Sequence, residues 1–142
     1  MTILRFYYDQ GITSDGQNGG TLWSAVEVVG SQTVSETDYA KYLGGVFHFD
    51  INSPDHCADV LSEIEKVERG ESEKAGWTGN AFFTDIYRDR VEVEHQQFVD
   101  HPDWPLWSCP LGEFKVALRG WKSFLELPVN MNSEVLVELP NG

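Results

Sequence analysis

Two segments with apolar residues at helical spacing constrain the fold of this chain most. The first begins at Ser53-Pro54-Asp55, where a cap residue precedes a proline at the first helical position and an acid in the first turn. Its apolar stripe steps by three or four residues and comprises Cys57, Val60, Leu61, Ile64 and Val67, with Gly70 just beyond its end. The second segment runs from Leu111 to Leu125, before Pro128. Both segments predict amphipathic helices that bury one face.

Between and around these helices the chain shows patterns typical of strands. β-branched and aromatic residues, or alternation of apolar and polar side chains, occur in residues 2–8, 22–29, 46–51, 77–87, 91–99 and 134–139. Residues 22–29 are compatible with a helix as well, although their valines favour a strand. A turn around Arg88-Asp89-Arg90 predicts a hairpin between 77–87 and 91–99.

The remaining segments indicate one short helix and two loops. Residues 35–43 predict a short helix, with Ser35 as its cap and Asp38 in the position of a capping-box acid. Residues 11–20 are rich in glycine, and residues 100–110 contain three prolines, so both are expected to be loops. Together these elements predict an α+β fold: a single compact domain over residues 1–142, with a mostly antiparallel sheet, two main helices and a short third helix.

Net charge narrows the possible partners. The chain has 23 acidic and 10 basic side chains, a formal net charge of −13. This charge disfavours binding to nucleic acid or to an anionic membrane surface, and it suits a basic protein partner, although acidity can also serve solubility alone. No apolar run is long enough to span a membrane, the first residues do not resemble a secretory signal, and two cysteines are too few for a disulfide framework. A soluble cytoplasmic protein is expected.

The acidic residues are concentrated on the first predicted helix. Residues 50–73 hold eight acids against two bases, a local charge of −6. Like charges four residues apart repel one another, and a basic partner would relieve that repulsion, whereas a simple solvated face would not require one. The predicted partner-binding residues are Asp55, Asp59 and Glu63, which recur every four residues, with Glu65 and Glu68 on the same outer surface.

Few residues indicate a catalytic or metal-binding site. A zinc site could be drawn from His48, Asp50, His56 and Cys57, but their spacing matches no recurrent zinc pattern, and Cys57 is expected in the core. No phosphate-binding glycine loop or known nucleophile motif occurs. No catalytic residue, metal or cofactor is therefore predicted.

The segment around 100–110 leaves two alternatives open. A thiol–imidazole pair is conceivable there, so a small enzyme that uses His48, His101 or Cys109 remains a less favoured alternative. Trp104 and Trp107 could pack the segment down onto the core, or they could anchor a partner, because tryptophan is enriched among interface hot spots. These two tryptophans are weaker candidates for partner binding than the acidic row.

The order of motifs over residues 63–125 resembles a known group of proteins. An acidic helix is followed by A-G-W-T-G-N at residues 75–80, a strand over 82–87, a charged turn and Val91-Glu92-Val93. A helix of the form L-x-E-F-x-x-x-L-x-x-W-x-x-F-L then runs over 111–125. This layout resembles small immunity proteins of bacterial polymorphic toxin systems, including contact-dependent growth inhibition.

The resemblance implies a non-enzymatic protein that neutralises a cognate toxin domain delivered by a neighbouring cell. Such a protein binds the toxin domain and blocks its active site. These toxins are frequently nucleases with basic substrate grooves, so clustered carboxylates would stand in for the phosphates of the substrate. The alternative is a small acidic cytosolic adaptor or scaffold subunit, whose acidic face meets a different basic protein.

Overall fold

The computed structural model describes residues 2–12, 18–30 and 33–140, which form two antiparallel sheets and three α-helices. The predicted α+β class with mostly antiparallel pairing is confirmed. In chain order the elements are β1 (Ile3–Ile12), β2 (Asn18–Val29), α1 (Val34–Gly45), a π-helical turn (Val46–Asp50), α2 (Pro54–Glu68), β3 (Ala75–Thr78), β4 (Phe82–Ile86), β5 (Arg90–His95), β6 (Trp107–Pro110), α3 (Leu111–Leu125) and β7 (Glu134–Glu138).

The first sheet joins the two ends of the chain. Its strand order is β2-β1-β7, with Leu4 opposite both Val28 and Val137. The strands predicted in residues 2–8 and 134–139 are confirmed, and residues 22–29 are strand rather than helix. The loop predicted over 11–20 is wrong at both ends, because β1 continues to Ile12 and β2 begins at Asn18; residues 13–17 lie outside the described part of the chain.

The second sheet has the order β3-β4-β5-β6. The hairpin predicted around 88–90 is confirmed, with its second strand ending at His95. The single strand predicted over 77–87 is wrong, because the chain turns between Thr78 and Phe82 and makes two strands. The loop predicted up to Pro110 is also wrong over its last four residues, where Trp107–Pro110 pairs with β5 as an edge strand, a position that tolerates proline.

The bounds of helices α2 and α3 agree closely with those predicted from the sequence, whereas α1 begins earlier than predicted. Helix α2 starts after Ser53, whose side chain accepts from the backbone N–H of His56, and α3 covers the predicted residues 111–125. The cap of α1 is Thr33 rather than Ser35: its hydroxyl accepts from the N–H of Glu36 at 3.3 Å and donates to the Glu36 carboxylate at 2.9 Å. Ser35 and Asp38 lie inside the helix.

The strand predicted over 46–51 is wrong, because residues 46–50 continue α1 as a π-helical turn. Val46, Phe47, Asp50 and Ile51 are buried, whereas Phe49 is 52% exposed. This burial pattern has the spacing of a helical turn rather than the alternation of a strand. The apparent alternation of Phe47, Phe49 and Ile51 therefore does not correspond to one buried face.

An aromatic cluster connects the first sheet to this turn and to α3. Phe47 stacks on Trp121 with ring centroids 5.7 Å apart, and Phe6 meets the same indole edge-on at 5.5 Å. The indole N–H of Trp121 donates to the carbonyl of Ile51 at 2.6 Å, so this large buried side chain has its polar atom satisfied. Among the described residues no helix is long and apolar enough to cross a membrane.

Candidate protein-binding surface

The outer face of α2 carries all five predicted acidic residues. The inner face buries Cys57, Val60, Ile64 and Val67 against the core. A helix that buries this stripe must turn its opposite side to solvent. The acidic residues exposed on α2 are Asp55, Asp59, Glu63, Glu65 and Glu68, which we call the α2 acidic row.

The members of the α2 acidic row differ in their intramolecular partners. Glu63 lies 3.3 Å from Lys66, and Glu65 lies 3.9 Å from Arg69. Glu68 is bound by Lys115 of α3 at 2.8 Å. Asp55 and Asp59 have no ion pair within the described residues. Because exposed ion pairs are weak, the whole row remains available to a basic partner, most of all in the first half of the helix.

A groove of about 660 Å³ lies between α2 and β3. Asp59, Glu63 and Lys66 line its helix side, and Lys74, Gly76 and Trp77 line its strand side. The indole N–H of Trp77 is buried and has no hydrogen-bond partner among the described residues. The α2 acidic row therefore borders a groove that contains a large aromatic side chain, which the sequence did not indicate as a binding feature.

The solvent face of the second sheet is a further acidic surface that sequence reasoning missed. Asp85 of β4 lies directly opposite Glu92 of β5, and Phe83 lies opposite Glu94. Like charges at opposed positions destabilise a strand pair unless cations relieve them. Lys74 approaches Asp85 at 3.4 Å and Arg90 binds Glu92 at 3.0 Å. The sequence feature that could have indicated this surface is the alternation of Glu92 and Glu94 with the buried Val91 and Val93.

Trp104 and Trp107 lie elsewhere, packed on α1. Trp107 stacks on Tyr42 with ring centroids 5.2 Å apart and planes 6° from parallel. Trp104 meets the same tyrosine edge-on at 5.5 Å, and the ammonium of Lys41 lies 4.2 Å from the Trp104 ring. Both tryptophans are partly buried, and neither lines the groove beside α2. Their observed contacts are intramolecular.

The Asp50 side chain is buried and has a structural role, so it is not part of an exposed binding surface. Its carboxylate accepts backbone N–H bonds from Asn80, Ala81 and Phe82 at 2.7, 2.9 and 3.2 Å. Burial raises the pKa of this carboxyl, although the three bonds act in the opposite direction. Asp50 holds the turn between β3 and β4, and it is not on the face of a strand with His48 as predicted.

The other residues considered for chemistry are dispersed. The Nδ1 atom of His48 lies 2.8 Å from the Ser24 hydroxyl, while the ring of His101 accepts from the backbone N–H of Asp103 at 3.1 Å. Cys57 is fully buried, and burial raises the pKa of its thiol to about 12. Burial likewise raises the thiol pKa of Cys109. In the described chain no hydrogen bond or ion pair joins His48, His101 and Cys109 to one another, and no three ligand-type side chains group to hold a metal.

Gly79 and Asn80, which belong to the segment that carries the resemblance, have a structural role. Gly79 lies so close to Asp50 that a Cβ there would overlap the carboxylate, and the Asn80 side chain donates to the carbonyl of Phe49 at 2.9 Å. The G-N pair at 79–80 is thus explained by the buried Asp50.

No family model, curated protein or solved structure matches this chain. The function is therefore argued from the surface described above.

Proposed function

We propose that this chain is a non-enzymatic immunity protein that acts in the cytoplasm, where it binds a basic toxin domain and blocks the active site of that domain. The observation that carries the proposal is the α2 acidic row. Its five carboxylates are all exposed, and Asp55 and Asp59 lack a cation partner within the described residues. Asp55, Asp59 and Glu63 form a regular series whose first two carboxylates are uncompensated within the described residues, and a basic groove would recognise this arrangement.

The charge of the whole molecule supports this partner. A net charge of −13 attracts a basic protein over a distance of about a Debye length, roughly 8 Å at physiological ionic strength, and speeds diffusional encounter. Asp55, Asp59 and Glu63 lie one helical turn apart, so their charges repeat about every 6 Å along the helix. A nuclease toxin binds the regularly spaced phosphates of its substrate, and the α2 acidic row would occupy the same groove.

Electrostatic attraction alone does not give a lasting complex. Protection of a cell requires a dissociation constant in the nanomolar range or better, or about −12 kcal/mol. In tight complexes a few desolvated anchors supply most of that energy, and tryptophan is enriched among them. Trp77, in the groove that the α2 acidic row borders, is better placed for this role than Trp104 or Trp107, which pack on α1.

The test is a growth assay with the toxin domain that the proposal places in the adjacent open reading frame. Expressing that domain alone should arrest growth, and co-expressing this chain should restore it. The double variant Asp59→Lys/Glu63→Lys should lose most of the protection. The control Asp9→Lys/Glu138→Lys changes the net charge equally on the first sheet, at two exposed positions, and should protect normally. Equal protection by both variants would contradict the proposal.

A further inference from the structure

Strand β3 leaves one edge of the second sheet open. It pairs with β4 on one side, and no described strand pairs with its other side. The N–H of Gly79 donates to the carbonyl of Phe82 at 2.9 Å. Because hydrogen-bonded pairs alternate in an antiparallel ladder, the pairs Trp77–Thr84 and Ala75–Ile86 are also hydrogen-bonded. Gly76 and Thr78 therefore direct their backbone N–H and C=O groups toward the open edge.

The groove beside α2 runs along this strand. Its strand wall consists of residues 74–77, and its helix wall extends from His56 to Lys66. That part of α2 is about 15 Å long, which equals four or five residues of extended chain at about 3.3 Å each. The groove thus has the length of one short strand, bounded by a sheet edge and a helix. This is the geometry in which an extended peptide adds to a sheet.

The charges around the groove determine which occupant fits. Lys66 and Lys74, the cations that line it, are paired with Glu63 and Asp85. Asp59 on the helix wall lacks an ion pair in the described part of the chain. A strand added here would have this unpaired carboxylate on its helix side. A second copy of this chain would bring more negative charge, so a basic segment fits better.

We infer that β3 accepts an extended segment of the partner, with basic side chains at alternate positions, as a fifth strand of the second sheet. The backbone groups of Gly76 and Thr78 would bond to this segment. Its cations, which alternate positions place on one face of the strand, would face Asp59 on the helix wall. This inference rests on the proposed function in one respect, since it takes the partner to be a basic protein. It adds the mode of binding and the position of the partner strand.

The experiment uses a synthetic nonapeptide of alternating lysine and valine as the probe. Its control is the same peptide with alternate backbone nitrogens methylated, which keeps the charge and prevents strand pairing. The unmodified peptide should bind at least tenfold more tightly at 150 mM salt. The amide protons of Gly76 and Thr78 should exchange more slowly in the complex, as measured by NMR.

Variants of the protein locate the binding to this edge. Thr78→Pro removes an outward N–H that no described strand uses, and it should weaken peptide binding at least tenfold. Thr78→Val keeps the N–H and should bind normally. Leu136→Pro is the matched control on β7. Leu139 donates its N–H to the Thr2 carbonyl, so by the alternation of the ladder the N–H of Leu136 points away from β1, as that of Thr78 points away from β4. It should leave binding unchanged.

The outcomes separate the two proposals. Equal binding of both peptides, or normal binding by a folded Thr78→Pro variant, would overturn strand addition. If Asp59→Lys/Glu63→Lys abolished binding in that case, the proposal that the α2 acidic row binds a basic partner (acidic capture) would survive. Loss of binding in Thr78→Pro with no effect of the charge reversal would support the edge and contradict acidic capture. Should Thr78→Pro fail to fold, amide exchange in the wild-type protein decides: unchanged exchange at Gly76 and Thr78 overturns the inference.

Discussion

Asp50 and Asp59 lie nine residues apart and have opposite surroundings. Asp50 is 6% exposed and accepts three backbone N–H bonds from the turn between β3 and β4. Asp59 is exposed on α2 and has no ion pair within the described residues. The buried carboxylate is committed to the fold, whereas the exposed one is available for a partner. Local acidity alone therefore does not distinguish a structural acid from a binding acid.

The largest effect is expected when the buried carboxylate is removed. Asp50→Ala would leave three backbone N–H groups without their acceptor, one of them on buried Phe82, and should lower the free energy of unfolding by about 3 kcal/mol. Urea denaturation measures this change. Asp59→Ala is the matched control and should stay within about 0.5 kcal/mol of wild type. Equal losses in the two variants would remove the distinction between the two carboxylates.

A smaller effect is expected from crowding the same carboxylate. Gly79→Ala would push a Cβ into Asp50 and should cost about 2 kcal/mol, since overpacking in a closed site forces the surroundings to shift. Gly112→Ala is the control, because a Cβ at this helical position meets no described atom within 4 Å and alanine favours a helix. Thermal unfolding compares the two. A Gly79→Ala variant as stable as wild type would show that the turn does not depend on close approach to Asp50.

The smallest effect concerns the end of the α2 acidic row nearest α3. Lys115→Ala removes the 2.8 Å ion pair with Glu68 and should cost about 0.5 kcal/mol of stability, as partly exposed ion pairs do. It also frees the Glu68 carboxylate, so binding to a basic partner should be equal or slightly tighter. Lys122→Ala, which breaks the pair with Glu126 just after the end of α3, controls for the lost charge. Weaker binding by Lys115→Ala alone would place Lys115 itself in the interface.

The sequence predicted best those elements whose determinants are local. Caps and apolar periodicity located α2 and α3 almost residue by residue. The π-helical turn was missed because Phe47, Phe49 and Ile51 alternate as in a strand, while the chain path depends on distant contacts such as the bond from Trp121 to Ile51. The turn between β3 and β4 likewise depends on Asp50, some thirty residues away in sequence.

The same division holds for the candidate surface. The α2 acidic row could be predicted, since charge and helical spacing are written in one short segment. The groove beside it could not, because it exists only where β3 lies next to α2. Trp104 and Trp107 were candidates for partner binding on residue type alone, and their packing against Tyr42 follows from tertiary contacts that no local pattern encodes.

The most direct test of the central claim is the salt dependence of binding between this chain and the basic toxin domain that we propose as its partner. Wild type should bind with nanomolar affinity that weakens steadily between 50 and 500 mM salt, because charge complementarity contributes to the complex. Asp59→Lys/Glu63→Lys should bind at least tenfold more weakly and with a shallower salt dependence, while Asp9→Lys/Glu138→Lys should stay within about threefold of wild type. If both double variants weaken binding equally, or neither does, the α2 acidic row is not the binding surface.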